Sequence, residues 1–430
     1  MEKITSKHRM SLLILAILFF FRGFLYAEEK TVYLTLDEAI TIALRDNADI
    51  LLSKEQLEKA KAQIKEAKAN LYPGVVLVSS FSDTRGLFNK DRSAISGNVS
   101  IKQLLYKGGQ VISAIKIGQY YYEAEKAALD NKQLEIIFSV KNAYYNLLLA
   151  KHYSNLNRQI LENSQRHFET MEKRYAYGEV SDVALQQMKA NLAQVKAAYE
   201  ESLNQVKTAQ AAMNVLLSLK EEITVEAVGE FNYEKRDIAL DMALLEALKE
   251  HPALKQLDAQ VDIANQNVEI AKAQSRPTVL AGWDYYASNR LSTTGIRNQN
   301  DYNVLAITVS WPVFDGWLTK AKIEQAIAEV KKANLTQDKT KKALVFDIKQ
   351  AYFALQTSLN KLSSAEEELK TYEDALISSE QKYRKGIISS LDLEDAKLRV
   401  AIARFNKAMA DYEYLVARAK FDKATGGRIQ

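Results

Sequence analysis

From Lys107 to Tyr177 the chain runs without a proline, and after the opening Gly108-Gly109 pair its only glycine is Gly118. At ~1.5 Å per residue this stretch predicts a single helix roughly 105 Å long, far more than a compact domain needs. Leu129, Ile136, Ala143 and Ala150 form one row at heptad spacing, and Val140, Leu147, Leu161, Phe168 and Tyr175 fall on a second. Apolar and small residues at that period make a coiled-coil seam, which packs rod against rod.

The rod occurs twice. Leu36, Asp37, Ala39, Ala43 and Leu44 return as Leu240, Asp241, Ala243, Ala247 and Leu248, and Pro73 and Val75 as Pro277 and Val279, all 204 positions on. Gly108, Lys141, Tyr144, Leu147, Tyr175, Gly178, Leu185 and Lys189 return 208 positions on as Gly316, Lys349, Tyr352, Leu355, Tyr383, Gly386, Leu393 and Lys397. The chain is therefore a tandem duplication whose second copy gains four residues between Val279 and Gly316. The first repeat spans 36–218, with a hairpin at about 75–106 and a long helix pair over 107–218; the second spans 237–426, with a hairpin at about 279–313 and helices over 316–423. Residues 219–236 link them, and the alternation of Ile223, Val225 and Ala227 leaves open whether this segment adds a strand.

Each repeat opens with helical periodicity, Leu36 to Asn70 and Leu240 to Gln274, the second interrupted near Pro252. Pro73 and Pro277 stop these helices, because a residue before proline is pushed out of the helical region. The period then changes to two. Val75, Leu77 and Phe81 alternate with Ser80 and Ser82, and Val279, Ala281, Trp283 and Tyr285 with Gly282 and Asp284. The return arms keep the parity: Ile95, Val99 and Ile101 against Ser96, Asn98, Ser100 and Lys102, then Leu305, Ile307 and Val309 against Thr308 and Ser310. Polar loops, Asp83 to Arg92 and Ser288 to Asp301, join the arms.

Strands with one greasy face are read either as a small sheet packed on a helix or as part of a membrane barrel. Trp283, Trp311, Phe314 and Trp317, with Tyr106 at the matching junction of the first copy, have the distribution of an aromatic girdle at a bilayer edge. Four strands per chain are too few to close a barrel, for which ~8 is the practical minimum, so several chains must share one.

Met1 to Ala27 points to export. Lys3, Lys7 and Arg9 form a basic start, Met10 to Phe21 an apolar run, and Ala27 a small residue suited to cleavage, so residues 1–27 read as a secretory signal peptide. Leu25 is bulky for its place before that site, which keeps an uncleaved anchor as the competing reading. Removing the leader leaves 54 basic against 53 acidic groups, +1 in place of +4, and no nucleic-acid partner is indicated. There is no cysteine, hence neither disulfide nor thiolate metal site. His8, His152, His167 and His251 lack metal-ligand spacing and read as surface residues. With no phosphate loop, cofactor motif or catalytic set, an enzyme is disfavoured.

Leu36-Asp37-Glu38-Ala39, Leu71-Tyr72-Pro73, Leu104-Leu105-Tyr106, Tyr175-Ala176-Tyr177-Gly178 and Asn214-Val215-Leu216-Leu217, in this layout, resemble the outer membrane efflux protein family of TolC-like exit ducts. The resemblance runs from about Leu36 to Gly426. It implies a mainly α protein with a β-barrel portion: a homotrimer with a twelve-stranded barrel in outer-membrane lipid and a coiled-coil α-barrel in the periplasm. It also implies a periplasmic adaptor (membrane fusion) protein and an inner-membrane transporter as partners in efflux or type I secretion. Docking is then expected at the tips marked by Gly178 and Gly386. A periplasmic coiled-coil adaptor or scaffold is the alternative, although such a protein should carry β-rich domains flanking one helical hairpin.

Asp392 and Asp395 share a helix face, and the first copy has Ala184 and Gln187 in their places. The resemblance assigns this pair to a periplasmic gate, with Tyr383 retained nearby. The competing reading is that they are ordinary acids in the first turn of a helix. Ala184 and Ile388 stand where some family members carry an Asp and an Arg that hold the entrance shut.

Overall fold

The computed structural model describes residues 30–87, 90–220, 222–233, 239–292 and 295–427. The leader expected at 1–27 lies outside the described residues. The elements run β1 (Lys30–Leu34), α1 (Leu36–Asp46), α2 (Ala48–Ala69), β2 (Gly74–Leu87), β3 (Lys90–Lys107), α3 (Gln110–Ala176), α4 (Asp182–Leu217), β4 (Ile223–Ala227), α5 (Leu240–Glu250), α6 (Pro252–Ala273), β5 (Thr278–Ser292), β6 (Gly295–Ser310), α7 (Leu318–Arg384) and α8 (Ser390–Ala424). Helices α3 and α7 have 67 residues each. At 1.5 Å per residue each is about 100 Å long.

The chain divides into two units. One comprises residues up to 50, 133–243 and 348 onward; the other comprises 51–132 and 244–347.

In the first unit α3, α7 and α8 bury a seam of mixed size. Ile136, Val140, Leu147 and Ala150 of α3 are buried, as are Ile348, Ala351, Leu355 and Leu362 of α7. On α8, Val400, Ala403, Ala408, Leu415, Ala419 and Phe421 are buried, and the many alanines allow close helix approach. The α3 rows are buried only in their middle: Tyr175, near the end, is 42% exposed.

Beside these helices β1 and β4 form a parallel two-stranded sheet, Val32 opposite Val225. The linker therefore does contribute a strand. Its partner β1 is not among the elements expected from the sequence: Thr31, Val32 and Tyr33 favour a strand, but five residues are too few to show a period. The pair is fastened from the helices: the Tyr144 hydroxyl lies 2.7 Å from the Val228 carbonyl and 3.2 Å from that of Leu34, and Asn214 donates to the Ile223 carbonyl at 2.6 Å.

The second unit is built on an antiparallel sheet ordered β2-β3-β5-β6. The strands have 14 to 18 residues. The expected loops Asp83–Arg92 and Ser288–Asp301 are instead mostly strand, because ladder pairing continues after the apolar alternation has stopped. Thr84 still pairs with Arg92, and Ser288 with Asn300.

The opening helices also differ from expectation. Leu36 to Asn70 is broken at Asn47, just as the second repeat is broken at His251, 204 positions on. Both residues are extended, with ψ of 131° and 127°, and both cap the following helix. Asn47 Oδ1 accepts from the Asp49 amide at 2.9 Å, and His251 Nδ1 from that of Ala253 at 3.2 Å. Asn47 also donates to the Leu216 carbonyl at 2.9 Å. An Asn inside a helical pattern gives only a weak stop signal, since the same side chain is also tolerated within a helix.

Candidate functional site: a two-faced open sheet and a pair of helix tips

The register sorts the side chains of the sheet. Leu77 sits opposite Val99, Val75 opposite Ile101, Ile101 opposite Trp283, Trp283 opposite Leu305 and Ala281 opposite Ile307. Opposed residues share a face, so these form one continuous apolar surface across all four strands. Leu77, Leu305 and Ile307 are 70–79% exposed on it.

The other face carries Ser80 opposite Ser96, Ser100 opposite Asp284, and Lys102 opposite Gly282. Asn98 Oδ1 and Ser100 Oγ on that face are buried and have no hydrogen-bond partner among the described residues. Such groups are satisfied when the face is wet. Val76, Val78, Leu104, Leu280, Tyr286, Tyr302 and Val304 interrupt the polar pattern on this face.

The expected girdle residues lie in or beside this sheet. Trp283 is mid-strand on the apolar face. Tyr106 pairs opposite Val279 beyond a bulge in β3, and the Trp311 indole donates to the Ser275 carbonyl at 3.1 Å. Phe314 and Trp317 meet edge to face, 6.1 Å between ring centroids. Trp283 is thus separated from the other four, which cluster at the helix-proximal strand ends.

The tips belong to the other unit. After α3, the Gly178 amide bonds to the Tyr175 carbonyl and that of Glu179 to the Arg174 carbonyl, both at 2.9 Å. After α7, Gly386 bonds to Tyr383 and Ile387 to Lys382, again at 2.9 Å. Each tip is a Schellman closure, which requires a left-handed residue; Gly178 and Gly386 have φ of +74° and +70°. Nothing lies within 4 Å of where a Cβ would stand on either.

Asp392 and Asp395 have different surroundings. Asp392 closes a capping box with Ser389: its carboxylate accepts from the Ser389 amide at 2.9 Å and hydroxyl at 2.8 Å, and its own amide donates to the Ser389 hydroxyl at 3.2 Å. The Ser389 hydroxyl, followed by its amide, holds the Asp392 carboxyl below the usual range. Asp395 instead accepts from Asn163 at 3.3 Å and lies 2.9 Å from His167 Nε2. Next to it, Arg166 pairs with Glu394 at 2.8 Å.

Tyr383 is 43% exposed near the end of α7, with no side-chain contact to either acid described. The histidines were read as surface residues, and this needs correction: His251 is buried and caps a helix, and His167 is half-buried against Asp395. No local pattern signals His167, because its partner is 228 residues away.

A sheet greasy on one face and unpaired along both β2 and β6 needs further copies of itself, since an open edge is forbidden in lipid. The fold thus defines a class, the subunit of a shared membrane duct. The chain belongs to the outer membrane efflux protein family, whose profile matches residues 39–218 and again 243–427.

Among curated relatives, alkaline protease secretion protein AprF of Pseudomonas aeruginosa is 25% identical over 421 residues, covering 89% of this chain and 84% of that protein. Outer membrane efflux protein BepC of Brucella suis is 22% identical over 401 residues, covering 91% and 85%. Among solved structures, the Campylobacter jejuni CmeC outer membrane channel superposes with a TM-score of 0.76 at 18% identity, covering 91% of this chain and 85% of that one.

Proposed function

We infer that the protein is a passive outer-membrane exit duct, without catalytic activity, in an efflux or type I secretion machine. Three copies bring together twelve strands, β6 of one beside β2 of the next, which is more than the ~8 needed for closure. The long helices reach into the periplasm and receive substrate from an adaptor protein and an inner-membrane transporter.

The observation that carries this reading is the four-strand sheet itself, apolar on one face and open at both edges. A periplasmic adaptor or scaffold has no use for such a sheet. The secretion of a protease named for AprF makes a polypeptide one class of cargo to test.

Several finer assignments belong to this proposal. Residues 1–27 act as the export signal, and residues 36–218 and 237–426 are the two repeats, joined by 219–236. Asp392 and Asp395 form the periplasmic gate with Tyr383, the adaptor docks at the tips marked by Gly178 and Gly386, and Tyr106, Trp283, Trp311, Phe314 and Trp317 contact the bilayer. The decisive experiment is fractionation of cells followed by chemical cross-linking. The expected result is a trimer in the outer membrane; a monomer in the soluble periplasmic fraction overturns the reading.

A further inference from the structure

The polar face of the sheet carries an aromatic pair that contact with lipid does not explain. Tyr286 of β5 stands opposite Tyr302 of β6, and their rings stack with centroids 5.0 Å apart and planes 21° from parallel. Trp283 and Tyr285 stack with each other at 6.5 Å, and Trp283 is on the apolar side, away from this pair. The row continues across the sheet, Tyr286 opposite Asn98 and Asn98 opposite Val78. Tyr302 is 58% exposed, so the stack offers a flat π surface of negative potential to whatever lies over the face.

Asp284 is two residues back along β5, roughly 7 Å from the tyrosine row and on the same face, opposite Ser100 and Val304. Its carboxylate has no hydrogen-bond or ion-pair partner among the described residues. Asn98 Oδ1 beside Tyr286 and Ser100 Oγ beside Asp284 are buried without partners, and Ser100 is only 8% exposed. Lys102 stands one level further from the tyrosines, opposite Gly282. A cation lying between the tyrosines and Asp284 has ring faces on one side, a carboxylate on the other and unmet acceptors beneath it.

Only the second repeat carries these groups. Tyr286 and Asp284 correspond to Ser82 and Ser80, 204 positions earlier, and Tyr302 and Val304 to Ala94 and Ser96, 208 positions earlier. The pairing is kept: Ser82 is opposite Ala94, and Ser80 opposite Ser96 with the two hydroxyls 2.8 Å apart. The backbone therefore does not require aromatic rings at this place. Where the first repeat satisfies its polar groups locally, the second leaves a carboxylate unpartnered beside a ring stack.

We propose that Tyr286, Tyr302, Asp284 and Asn98 form a binding site for an organic cation that carries an aromatic ring, the ring lying on Tyr302 and the positive charge against Asp284. The proposal rests on the duct reading, which makes this face the wall of the lumen and repeats the site in every subunit. Cargo of that chemistry pauses there on its way out, held by contacts weak enough to release it.

The test uses the full chain, purified as the trimer in uncharged maltoside micelles, with ethidium as the planar aromatic cation and fluorescence anisotropy as the readout against protein-free micelles. Ethidium should bind saturably. N-methylquinolinium, which has both ring and charge, should displace it roughly tenfold more effectively than tetraethylammonium, a charge without a ring, or quinoline at neutral pH, a ring without a charge. Tyr302→Ser and Asp284→Asn should each weaken binding roughly fivefold, and Tyr302→Phe, which keeps the ring, should retain it.

A trimer with no saturable binding overturns the site alone, whereas absence of the trimer overturns the duct reading. Unchanged affinity in Tyr302→Ser or in Asp284→Asn also overturns the site; if Tyr302→Ser fails to assemble, the isosteric Asp284→Asn decides. Loss of binding on replacing Asp392 and Asp395 by Ala, with Asp284→Asn still binding, assigns ethidium to the helix acids and overturns the proposal.

Discussion

His167 and Asp395 lie 228 positions apart in sequence, yet Nε2 of one is 2.9 Å from Oδ1 of the other. The contact ties α3 of the first repeat to the first turns of α8 in the second. It also means that the two proposed gate acids differ: Asp392 is occupied by its own helix cap, and Asp395 by a hydrogen bond to an imidazole on another helix.

Replacing both Asp392 and Asp395 by Ala should lower cation selectivity and weaken block by trivalent cations added from the periplasmic side, read by single-channel recording. In a three-fold assembly each acid is presented three times around one axis, and such rings favour cations. If these acids serve only as a helix cap and an interhelix bond, conduction stays unchanged in an intact trimer, and the gate assignment is wrong.

Arginine at Ile307 should impair insertion by roughly 2–4 kcal/mol if the site lies near the bilayer midplane, whereas arginine at Thr308 should not. Ile307 stands opposite Ala281 on the apolar face, and Thr308 opposite Leu280 on the other. Refolding of each variant into vesicles checks this, and equal losses count against the barrel.

Valine at Gly178 or Gly386 should cost about 1–2 kcal/mol at the tip alone, because the left-handed backbone is strained while the space around it is open. Trimers should still assemble in the membrane, with export abolished. Disappearance of the trimer would assign these glycines to folding.

Stability should fall as pH rises above about 10, the ordinary tyrosine value. Burial pushes the Tyr145 phenol up to about 12, despite the opposing pull of Arg418. Burial, and then the hydrogen bond to Asp411 at 2.8 Å, raises Tyr233 as well. For an acid whose folded pKa is raised, the favourable neutral form is fully present below the unfolded value and its contribution is lost above it. Tyr145 alone accounts for on the order of 2–3 kcal/mol across that interval. Chemical denaturation from pH 9 to 12 should show the decline, and Tyr145→Phe should flatten it; an unchanged slope removes Tyr145 as its source.

Much of the architecture was legible because it rests on period and repetition. The unbroken run after Gly109, the parity switch at Val75 and Val279, and the offsets of 204 and 208 fix rods, two-faced strands and duplication before any contact is known. Gly178 and Gly386 were legible as bends because a left-handed closure favours glycine whatever surrounds it.

What periodicity misses is anything that depends on a distant partner. The Asn47 amide finds the Leu216 carbonyl 169 positions away, β1 needs β4, and the strands run past their expected ends because pairing with a neighbour holds residues that have lost their alternation. His167 looked like an isolated surface histidine until α8 placed Asp395 against it. Tyr286 and Tyr302 stack only because the register of β5 and β6 sets them opposite each other. Local pattern encodes element type and face, because these follow from the chain's own period. Register, hinge and pairing come from tertiary structure, because they are satisfied by groups the local sequence does not contain.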